Sequence, residues 1–287
     1  MAILLSVVVL TAAALLAVAC GDEGSSSPSP TTASASPPLP GYPATPPAGA
    51  EALTAEEEAW LEEKGTLKVG AFSDYPPFSF VASGGGEATG IAVDYWKLMA
   101  YRLGVGLELT PVLFAEQIEG LKDGRFDSLT GIFPLAEREQ WFAFSRAWFM
   151  IDTRIYTDAD HTAGKTLKSL KGLTVAVVKD DSGQQIADDA GLKTLVVTGY
   201  PEAVQAVGDG EAQAMIIDQL VGDYYIKEFD LKGEVVAVGK PVAGGEMTLP
   251  VRKDEAMLLA ILNKGITMVG EAEFEGIYET YMGEGAD

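Results

Sequence analysis

The sequence FDSLTGIFPLAEREQWFAFS, residues 126–145, combines a short apolar strand, a break at glycine and proline, a charged turn and an aromatic run. Its turn arginine, Arg138, follows the predicted strand end, where a guanidinium can present a planar fork of donors to both oxygens of a carboxylate. The alternative is a solvated turn arginine that pairs with Glu137 or Glu139, a common arrangement on protein surfaces. The stretch therefore predicts either a carboxylate-binding site or a solvated turn.

Length and charge limit the classes of function that the chain can have. With 287 residues it is long enough for about two domains, or for one domain with two lobes. Its 42 acidic and 20 basic residues give a formal charge of −22. Nucleic acids and anionic lipid surfaces favour Lys and Arg, so we expect no nucleic acid among the partners.

The cysteine and histidine content restricts metal and catalytic sites. Cys20 is the single cysteine of the sequence, which excludes an internal disulfide and a cysteine-based metal cluster. His161 is the single histidine and lies among loop-forming residues, which disfavours a histidine-rich metal site and a Ser-His-Asp triad. We therefore expect no metal, no cofactor and no catalytic residue.

The first fifty residues predict an export signal followed by a tether. Residues 1–20 are nearly all apolar and end in AVAC, which resembles a lipobox, the site at which secretory lipoproteins are cleaved before lipid is attached to the cysteine. An uncleaved signal anchor is the alternative, because Ala17 stands where leucine is usual and a basic n-region is missing. Residues 21–50 are rich in Ser, Pro, Thr and Ala, a composition that predicts a disordered tether.

From residue 51 onward, predicted strands alternate with helices in two runs that meet near residue 155. This alternation is typical of parallel sheets covered by helices, so the predicted fold class is α/β. In open α/β sheets ligands bind beyond the carboxyl ends of the strands, where both Arg138 and Asp218 fall. The alternative role for Asp218 is to cap the helix predicted at 220–225.

Several motifs, taken in order, resemble a known family. They are YPPF at 75–78, GIAVDYWKLMAYRLG at 90–104, the stretch at 126–145, LKSLKGLTVAVV at 167–178, AMIID at 214–218 and FEGIY at 274–278. Their joint order is similar to that of the family 3 extracytoplasmic solute-binding proteins, which are the amino-acid-binding subunits of ABC importers. The similarity extends from Thr66 to about Gly283.

The resemblance implies a two-lobed type II periplasmic-binding-protein fold. Each lobe is expected to be a central sheet flanked by helices, and two crossover strands join the lobes, which close on a ligand by hinge motion. Lobe 1 is expected at residues 51–154 with 250–287, and lobe 2 at 155–249. The crossover strands are expected near Arg154–Thr157 and Leu249–Val251.

The resemblance also implies roles for individual residues. Arg138 is expected to bind the α-carboxylate of the ligand, and Asp218 its α-ammonium. Tyr75 and Phe114 are expected to enclose the ligand side chain between their rings. A zwitterion in a water-poor cleft needs one cation and one anion a few Å apart, and these residues would supply both.

The head-group cradle departs from the family pattern. Backbone groups at Gly131 and Phe133 are expected to complete it. Phe133 and Leu135 stand where the family usually has threonines, so the hydroxyl contacts of those threonines are lost and only backbone contacts remain.

A second departure bears on the identity of the ligand. Asp180 and Asp181, followed by Ser182, replace a Gly-Thr pair that is usual in the second lobe. We expect Asp181 and Ser182 to face the ligand. An extra acid beside a bound carboxylate is unfavourable unless it meets a cation, which motivates the hypothesis of a basic ligand.

Two alternatives to import remain open. The stretches at 53–78 and 134–145 also look like the extracellular domains of sensor kinases and diguanylate cyclases, which suggests ligand sensing through a membrane receptor. Cyclohexadienyl dehydratases resemble this family too and use a cleft carboxylate as general acid, a role open to Asp180 or Asp181. We expect a lipid-anchored, extracytoplasmic monomer without enzymatic activity that captures an amino acid or similar small zwitterion and delivers it to an ABC permease.

Overall fold

The computed structural model describes residues 35–82, 84–163 and 165–282, so the predicted signal peptide, Cys20 and the first part of the tether lie outside the described residues. The helices are α1 Ala55–Lys64, α2 Ile91–Leu103, α3 Phe114–Lys122, α4 Ser182–Asp189, α5 Tyr200–Gly208, α6 Gln219–Glu228, α7 Ala256–Thr267 and α8 Glu271–Met282. The strands are β1 Thr66–Phe72, β2 Asp74–Tyr75, β3 Ser79–Val81, β4 Ala88–Thr89, β5 Gly106–Val112, β6 Ser128–Leu129, β7 Phe142–Phe144, β8 Phe149–Asp158, β9 Thr174–Val178, β10 Lys193–Val197, β11 Ala214–Asp218, β12 Val235–Met247 and β13 Pro250–Arg252. Short 3₁₀ helices lie at Ala159–His161 and Leu167–Leu170.

Lobe 1 is built on a parallel three-stranded sheet with the order β5-β1-β6. Helix α2 buries Trp96, Leu98 and Met99 completely, and α7 and α8 pack against it. The antiparallel strands β2-β3-β4 and the pair β7-β13 complete the lobe. The carboxyl end of β1 continues directly into β2, which brings Asp74 and Tyr75 to the edge of the lobe.

Lobe 2 is built on a five-stranded sheet with the order β10-β9-β11-β8-β12. Strands β9, β10 and β11 run parallel, as the alternating pattern predicts; β8 pairs antiparallel with β11, and β12 pairs antiparallel with β8. Strand β9 is apolar throughout its centre and buried at Val175 and Val177, as expected for a strand covered by helices on both faces. The α/β fold class is therefore confirmed in both lobes.

Local sequence signals explain where two of the helices begin. Thr54 caps α1 through a reciprocal pair of bonds with Glu57, which satisfies donors that a helix start leaves free. Gly90 precedes α2 with φ 124, and a Cβ at this position would lie 2.4 Å from the carbonyl oxygen of Phe78. Glycine is required there because only a residue without a side chain lets α2 approach the loop after β2 so closely.

The lobes are joined by two passages that lie side by side. The chain leaves lobe 1 after β7 and enters β8, and it returns from β12 to β13. Residues 149–153 of β8 pair antiparallel with residues 243–247 of β12. The first crossover was expected near Arg154–Thr157, but these residues already pair with β11 inside the lobe 2 sheet. The bounds of the two lobes stay a prediction.

Residues 35–50, which we call the strap, lie along lobe 1. Ser36 donates to the carbonyl oxygen of Val105 through its backbone N at 3.1 Å and its hydroxyl at 2.9 Å. The guanidinium of Arg102 donates to the carbonyl oxygen of Pro43 at 2.9 Å, and Tyr42 packs against the core. Here the structure differs from the expected disordered tether. The strap contains six prolines, whose restricted backbone lowers the entropic cost of ordering. For residues 21–34 the tether stays a prediction.

Candidate ligand-binding site

Arg138 lies in the turn between β6 and β7 and is only 6% exposed. Its Nη1 donates to the carbonyl oxygen of Phe133 at 2.9 Å, and its Nη2 reaches across to lobe 2 and donates to the carbonyl oxygen of Asp180 at 2.8 Å. The guanidinium carbon lies 5.2 Å from the ring centroid of Phe114. Among the described residues Arg138 forms no salt bridge, so the alternative of a solvated turn arginine is not realised.

The burial of Arg138 has an electrostatic consequence. Desolvation lowers the pKa of the guanidinium, and the negative charge of Asp181 opposes this effect. A guanidinium nevertheless stays protonated at neutral pH, so the site holds a buried cation. Its two hydrogen-bond acceptors within the described part of the chain are neutral carbonyls. Such a cation is a strong attractor for an anionic group.

Asp218 ends β11 and is 1% exposed. The hydroxyl of Tyr75 donates to its Oδ2 at 2.5 Å, and the hydroxyl of Thr153 donates to its Oδ1 at 2.7 Å. Although Asp218 occupies the position before α6, its side chain makes no capping bond, so the alternative role as a helix cap is not realised. Burial raises the pKa of the Asp218 carboxyl, and the nearby charge of Asp181 raises it further.

Asp180 and Asp181 differ sharply in their surroundings. Asp181 is 7% exposed and accepts a long bond of 3.5 Å from the hydroxyl of Ser182, which is itself buried. Burial raises the pKa of the Asp181 carboxyl, and the charge of Arg138 opposes the rise. Asp180 is exposed, has a left-handed backbone with φ 62 and contributes its carbonyl oxygen to Arg138. The two aspartates are therefore not equivalent, and only Asp181 is buried beside Arg138.

The aromatic residues do not leave the expected gap between Tyr75 and Phe114. Phe72 stacks on Tyr75 with ring centroids 4.5 Å apart and on Phe114 with centroids 5.6 Å apart. Tyr200, from the start of α5 in lobe 2, packs against Tyr75 at 4.9 Å. The place expected for a ligand side chain is thus taken by Phe72 in this conformation.

These residues meet around a small space that we call the inner cavity. It is lined by Phe72, Tyr75, Phe114, Gly131, Ile132, Phe133, Arg138, Asp181, Tyr200, Asp218 and Met247, and its volume is about 10 Å³. Seven of the eight predicted ligand-binding residues are in this set. The eighth, Ser182, does not line the cavity but donates a hydrogen bond to Asp181. At Gly131, φ is 153 and a Cβ would lie 2.8 Å from the side chain of Met247, so only glycine fits there.

A second space, which we call the outer crevice, has a volume of about 330 Å³ and opens on the other side of Arg138 and Asp181. Trp141, 51% exposed, stands on its rim with the ammonium of Lys122 5.4 Å from its ring centroid. Because Arg138 and Asp181 line both spaces, the inner cavity and the outer crevice adjoin at these two residues.

Six residues at the site were not predicted from the sequence: Phe72, Asp74, Ile132, Thr153, Tyr200 and Met247. Phe72 and Asp74 lie just before the YPPF motif, and Thr153 and Tyr200 come from β8 and α5. Asp74 accepts from the backbone N of Tyr200 at 3.0 Å across the cleft. A signal for Phe72 and Asp74 was their position at the carboxyl end of β1, but Thr153 and Tyr200 depend on pairings between distant parts of the chain.

The described residues contain no group of three or more His, Cys, Asp or Glu side chains arranged to hold a metal ion. Within the same residues no helix combines the length and the apolar character that crossing a membrane requires.

Comparison with known proteins decides the family. The model of the bacterial extracellular solute-binding proteins, family 3, matches residues 67–284. The chain belongs to this family. The resemblance predicted from the motifs is thereby confirmed, and with it the two-lobed fold.

The chain is similar to an extracellular arginine-binding protein and to a sensor protein. The chain is 28% identical over 200 residues to the arginine-binding extracellular protein ArtP of Bacillus subtilis, covering 68% of this chain and 77% of ArtP. It is 25% identical over 239 residues to the virulence sensor protein BvgS of Bordetella bronchiseptica, which covers 82% of this chain but only 19% of the sensor. A solved structure of an ancestral arginine-binding protein bound to arginine superimposes with a TM-score of 0.70 at 30% identity, covering 76% of this chain and 99% of the other.

Proposed function

We propose that this family 3 solute-binding protein captures an amino acid or a similar small zwitterion between its lobes and delivers it to an ABC importer. One observation carries the proposal. A buried guanidinium on lobe 1, Arg138, and buried carboxylates on lobe 2, Asp218 and Asp181, line the same inner cavity. A zwitterion that pairs with both sides bridges the lobes, so its binding energy favours the closed conformation.

The charges around the inner cavity support a basic ligand. When the α-carboxylate pairs with Arg138 and the α-ammonium with Asp218, the carboxylate of Asp181 is left without a cation. A buried carboxylate without a partner is costly, and a cationic group on the ligand side chain would relieve that cost. We therefore propose an amino acid with a basic side chain, in agreement with the arginine-binding relatives.

Thermal unfolding against a panel of amino acids, amines and prephenate tests the ligand class. A ligand that binds only the folded chain stabilises it by about 2.7 kcal/mol at one hundred times its dissociation constant. We expect an upward shift with basic amino acids that disappears in Arg138→Ala and persists in the control Arg125→Ala, an exposed arginine paired with Asp123. A shift that survives in Arg138→Ala contradicts the assigned carboxylate site, and a panel without any shift contradicts the ligand class.

The same panel separates the two aspartates. In Asp181→Asn we expect the preference for arginine or lysine over neutral amino acids to fall about tenfold or more, because a partly buried ion pair is lost. Asp180→Asn is the matched control. The carboxylate of Asp180 is exposed, and the substitution keeps the hydrogen bond from Arg138 to the backbone carbonyl oxygen of residue 180. If Asp181→Asn leaves the preference for arginine or lysine unchanged, the proposal of a basic ligand is wrong.

We propose binding without a chemical step. A general acid must reach the atom that it protonates, and Asp180 is exposed and does not line the inner cavity, so an enzymatic reading depends on Asp181 alone. Formation of phenylpyruvate from prephenate by the purified chain contradicts this reading.

We further propose an extracytoplasmic location on a lipid anchor at Cys20, with a permease as partner and no stable self-association. The family description supports the location, and the lipobox-like residues 17–20 support the anchor. The site of attachment lies outside the described residues.

Ligand sensing through a membrane receptor is a second candidate, favoured by the similarity to a sensor protein over 82% of this chain. The chain spans about a fifth of that sensor's length, so the sensor's activity is not carried over. Deleting the chain from its cells separates the two functions. Loss of uptake of the stabilising amino acid supports import, whereas unchanged uptake with altered gene expression supports sensing.

A further inference from the structure

The hydroxyl of Tyr75 occupies the position at Asp218 that the proposed function assigns to the ligand's ammonium. Tyr75 belongs to β2 in lobe 1, and Asp218 ends β11 in lobe 2, so their 2.5 Å bond crosses the cleft. Both residues are at least 98% buried. Burial and the nearby charge of Asp218 raise the pKa of the Tyr75 hydroxyl far above its ordinary value, so the hydroxyl keeps its proton and acts as a donor.

Other bonds across the cleft also use only groups of the protein. The backbone N of Tyr200 donates to Asp74 at 3.0 Å, and the hydroxyl of Tyr225 donates to the carbonyl oxygen of Asp74 at 2.9 Å. Arg138 donates to the carbonyl oxygen of Asp180 at 2.8 Å. The lobes therefore close on each other through side chains and backbone that are always present.

The inner cavity, the space that Arg138 and Asp218 both line, is too small for the proposed ligand. The inner cavity measures about 10 Å³. A cavity of roughly 10–15 Å³ is the minimum for one water molecule, and even glycine has five non-hydrogen atoms. A zwitterion can reach Arg138 and Asp218 only after the lobes separate and Tyr75 leaves the carboxylate.

We propose that Tyr75 is an internal competitor for the ammonium position, which holds the cleft closed without ligand and is displaced when a ligand binds. The proposal rests on the proposed function in one respect, the assignment of the ligand's ammonium to Asp218. It replaces the expected role of Tyr75 as a wall for the ligand side chain. The competition also sets specificity, because a ligand must offer Asp218 a better partner than a phenol.

An ammonium or guanidinium meets that requirement, and a neutral or purely anionic ligand does not. The bond from the Tyr75 hydroxyl to an ionised Asp218 has one charged partner, whereas an ammonium donor adds the attraction of opposite charges, which is stronger in a buried site than in water. Tyr75 therefore favours ligands with a cationic group at this position over carboxylic acids and sugars of the same size.

Tyr75→Phe in the full-length chain removes the hydroxyl and keeps the ring that stacks on Phe72 and Phe78. Tyr156→Phe is the matched control. Tyr156 is also fully buried and also donates to a carboxylate, Asp223 at 2.7 Å, but both residues belong to lobe 2. Small-angle X-ray scattering without added amino acid measures whether the lobes are closed.

We expect the wild type and Tyr156→Phe to give the same radius of gyration, unchanged by L-arginine, and Tyr75→Phe to give a larger one. A hydrogen bond to a charged group contributes about 1.5–3 kcal/mol, so titration with L-arginine should show an affinity about 10- to 100-fold higher in Tyr75→Phe than in the wild type. A Tyr75→Phe chain as compact as the wild type overturns the proposal, and so does a wild type that is open and contracts only when L-arginine is added.

A second variant and a separate binding outcome complete the test. If Tyr75→Phe does not fold, Tyr225→Phe removes another hydroxyl from the cleft, and it should expand the chain relative to Tyr156→Phe. If Tyr75→Phe expands but neither L-arginine nor any other amino acid binds to any variant, the internal contact is supported and the proposed function fails.

Discussion

The buried carboxyl of Asp74 should make the stability of the closed, folded chain depend on pH, and this can be tested without a ligand. Its Oδ2 accepts from the backbone N of Tyr200, while its Oδ1 is buried without a hydrogen-bond partner among the described residues. The pKa of this carboxyl is raised from 3.8 to about 6, mainly by burial. The hydrogen bond from Tyr200 opposes the rise, and the charges of Glu202 and Asp181 increase it. Ionised Asp74 therefore destabilises the closed, folded chain.

The sign and size of the effect follow from linkage. Because the folded-state pKa lies above the unfolded one, the folded chain binds more protons between pH 4 and pH 6, and its stability falls as the pH rises through that window. A pKa difference of this size corresponds to about 3 kcal/mol above pH 6. Opening of the cleft hydrates Asp74 and relieves part of this cost, so we expect Asp74→Asn to stabilise the chain by about 1–3 kcal/mol at pH 8 and by little at pH 4.

Urea denaturation at the two pH values measures the difference in unfolding free energy. Asp209→Asn, which removes one negative charge from an exposed position of lobe 2, is the control. Equal stabilisation by Asp74→Asn at pH 4 and pH 8, or destabilisation at pH 8, refutes the reasoning, because a buried ionised carboxylate can be costly only where it is ionised.

Two other predictions concern the N-terminal part of the chain. A chain that begins at residue 51 should have an unfolding free energy about 2–4 kcal/mol lower than one that begins at residue 35, because Arg102 loses the Pro43 carbonyl and the packing of Leu39 is lost. Urea denaturation measures the difference. Equal midpoints would mean that the strap is only loosely attached. Cys20→Ser should abolish incorporation of labelled fatty acid when the chain is expressed in its own cells, and labelling that persists contradicts the assigned anchor.

The sequence predicted the order and type of the main elements because apolar periodicity and capping residues are local signals. Thr54 is a signal of this kind at the start of α1, and the apolar run at 173–178 is one at β9. The parallel direction of β9, β10 and β11 was predicted, but which strands lie side by side depends on residues far apart in the chain and was not. Strand β12 runs from Val235 to Met247 because it pairs with β8 on both sides of an irregularity after Val238.

The residues of the site were predicted better than their contacts. Arg138 and Asp218 were placed by their positions after strands and Asp181 by the family resemblance, and all three line the inner cavity. The insertion of Phe72 between two other rings and the bond between Tyr75 and Asp218 depend on how the lobes close, which residue spacing does not encode. The strap was missed because its composition is that of a flexible segment, whereas its contacts are supplied by a surface that the rest of the chain forms.

The side-by-side passages between the lobes restrict how the cleft can open. Residues 149–153 and 243–247 form one antiparallel ribbon, and sliding one strand along the other would break the hydrogen bonds between them. Bending the ribbon out of its plane leaves those bonds intact. Opening is therefore a rotation about a single axis across the ribbon, and every closure returns the same atoms of the two lobes to the same partners.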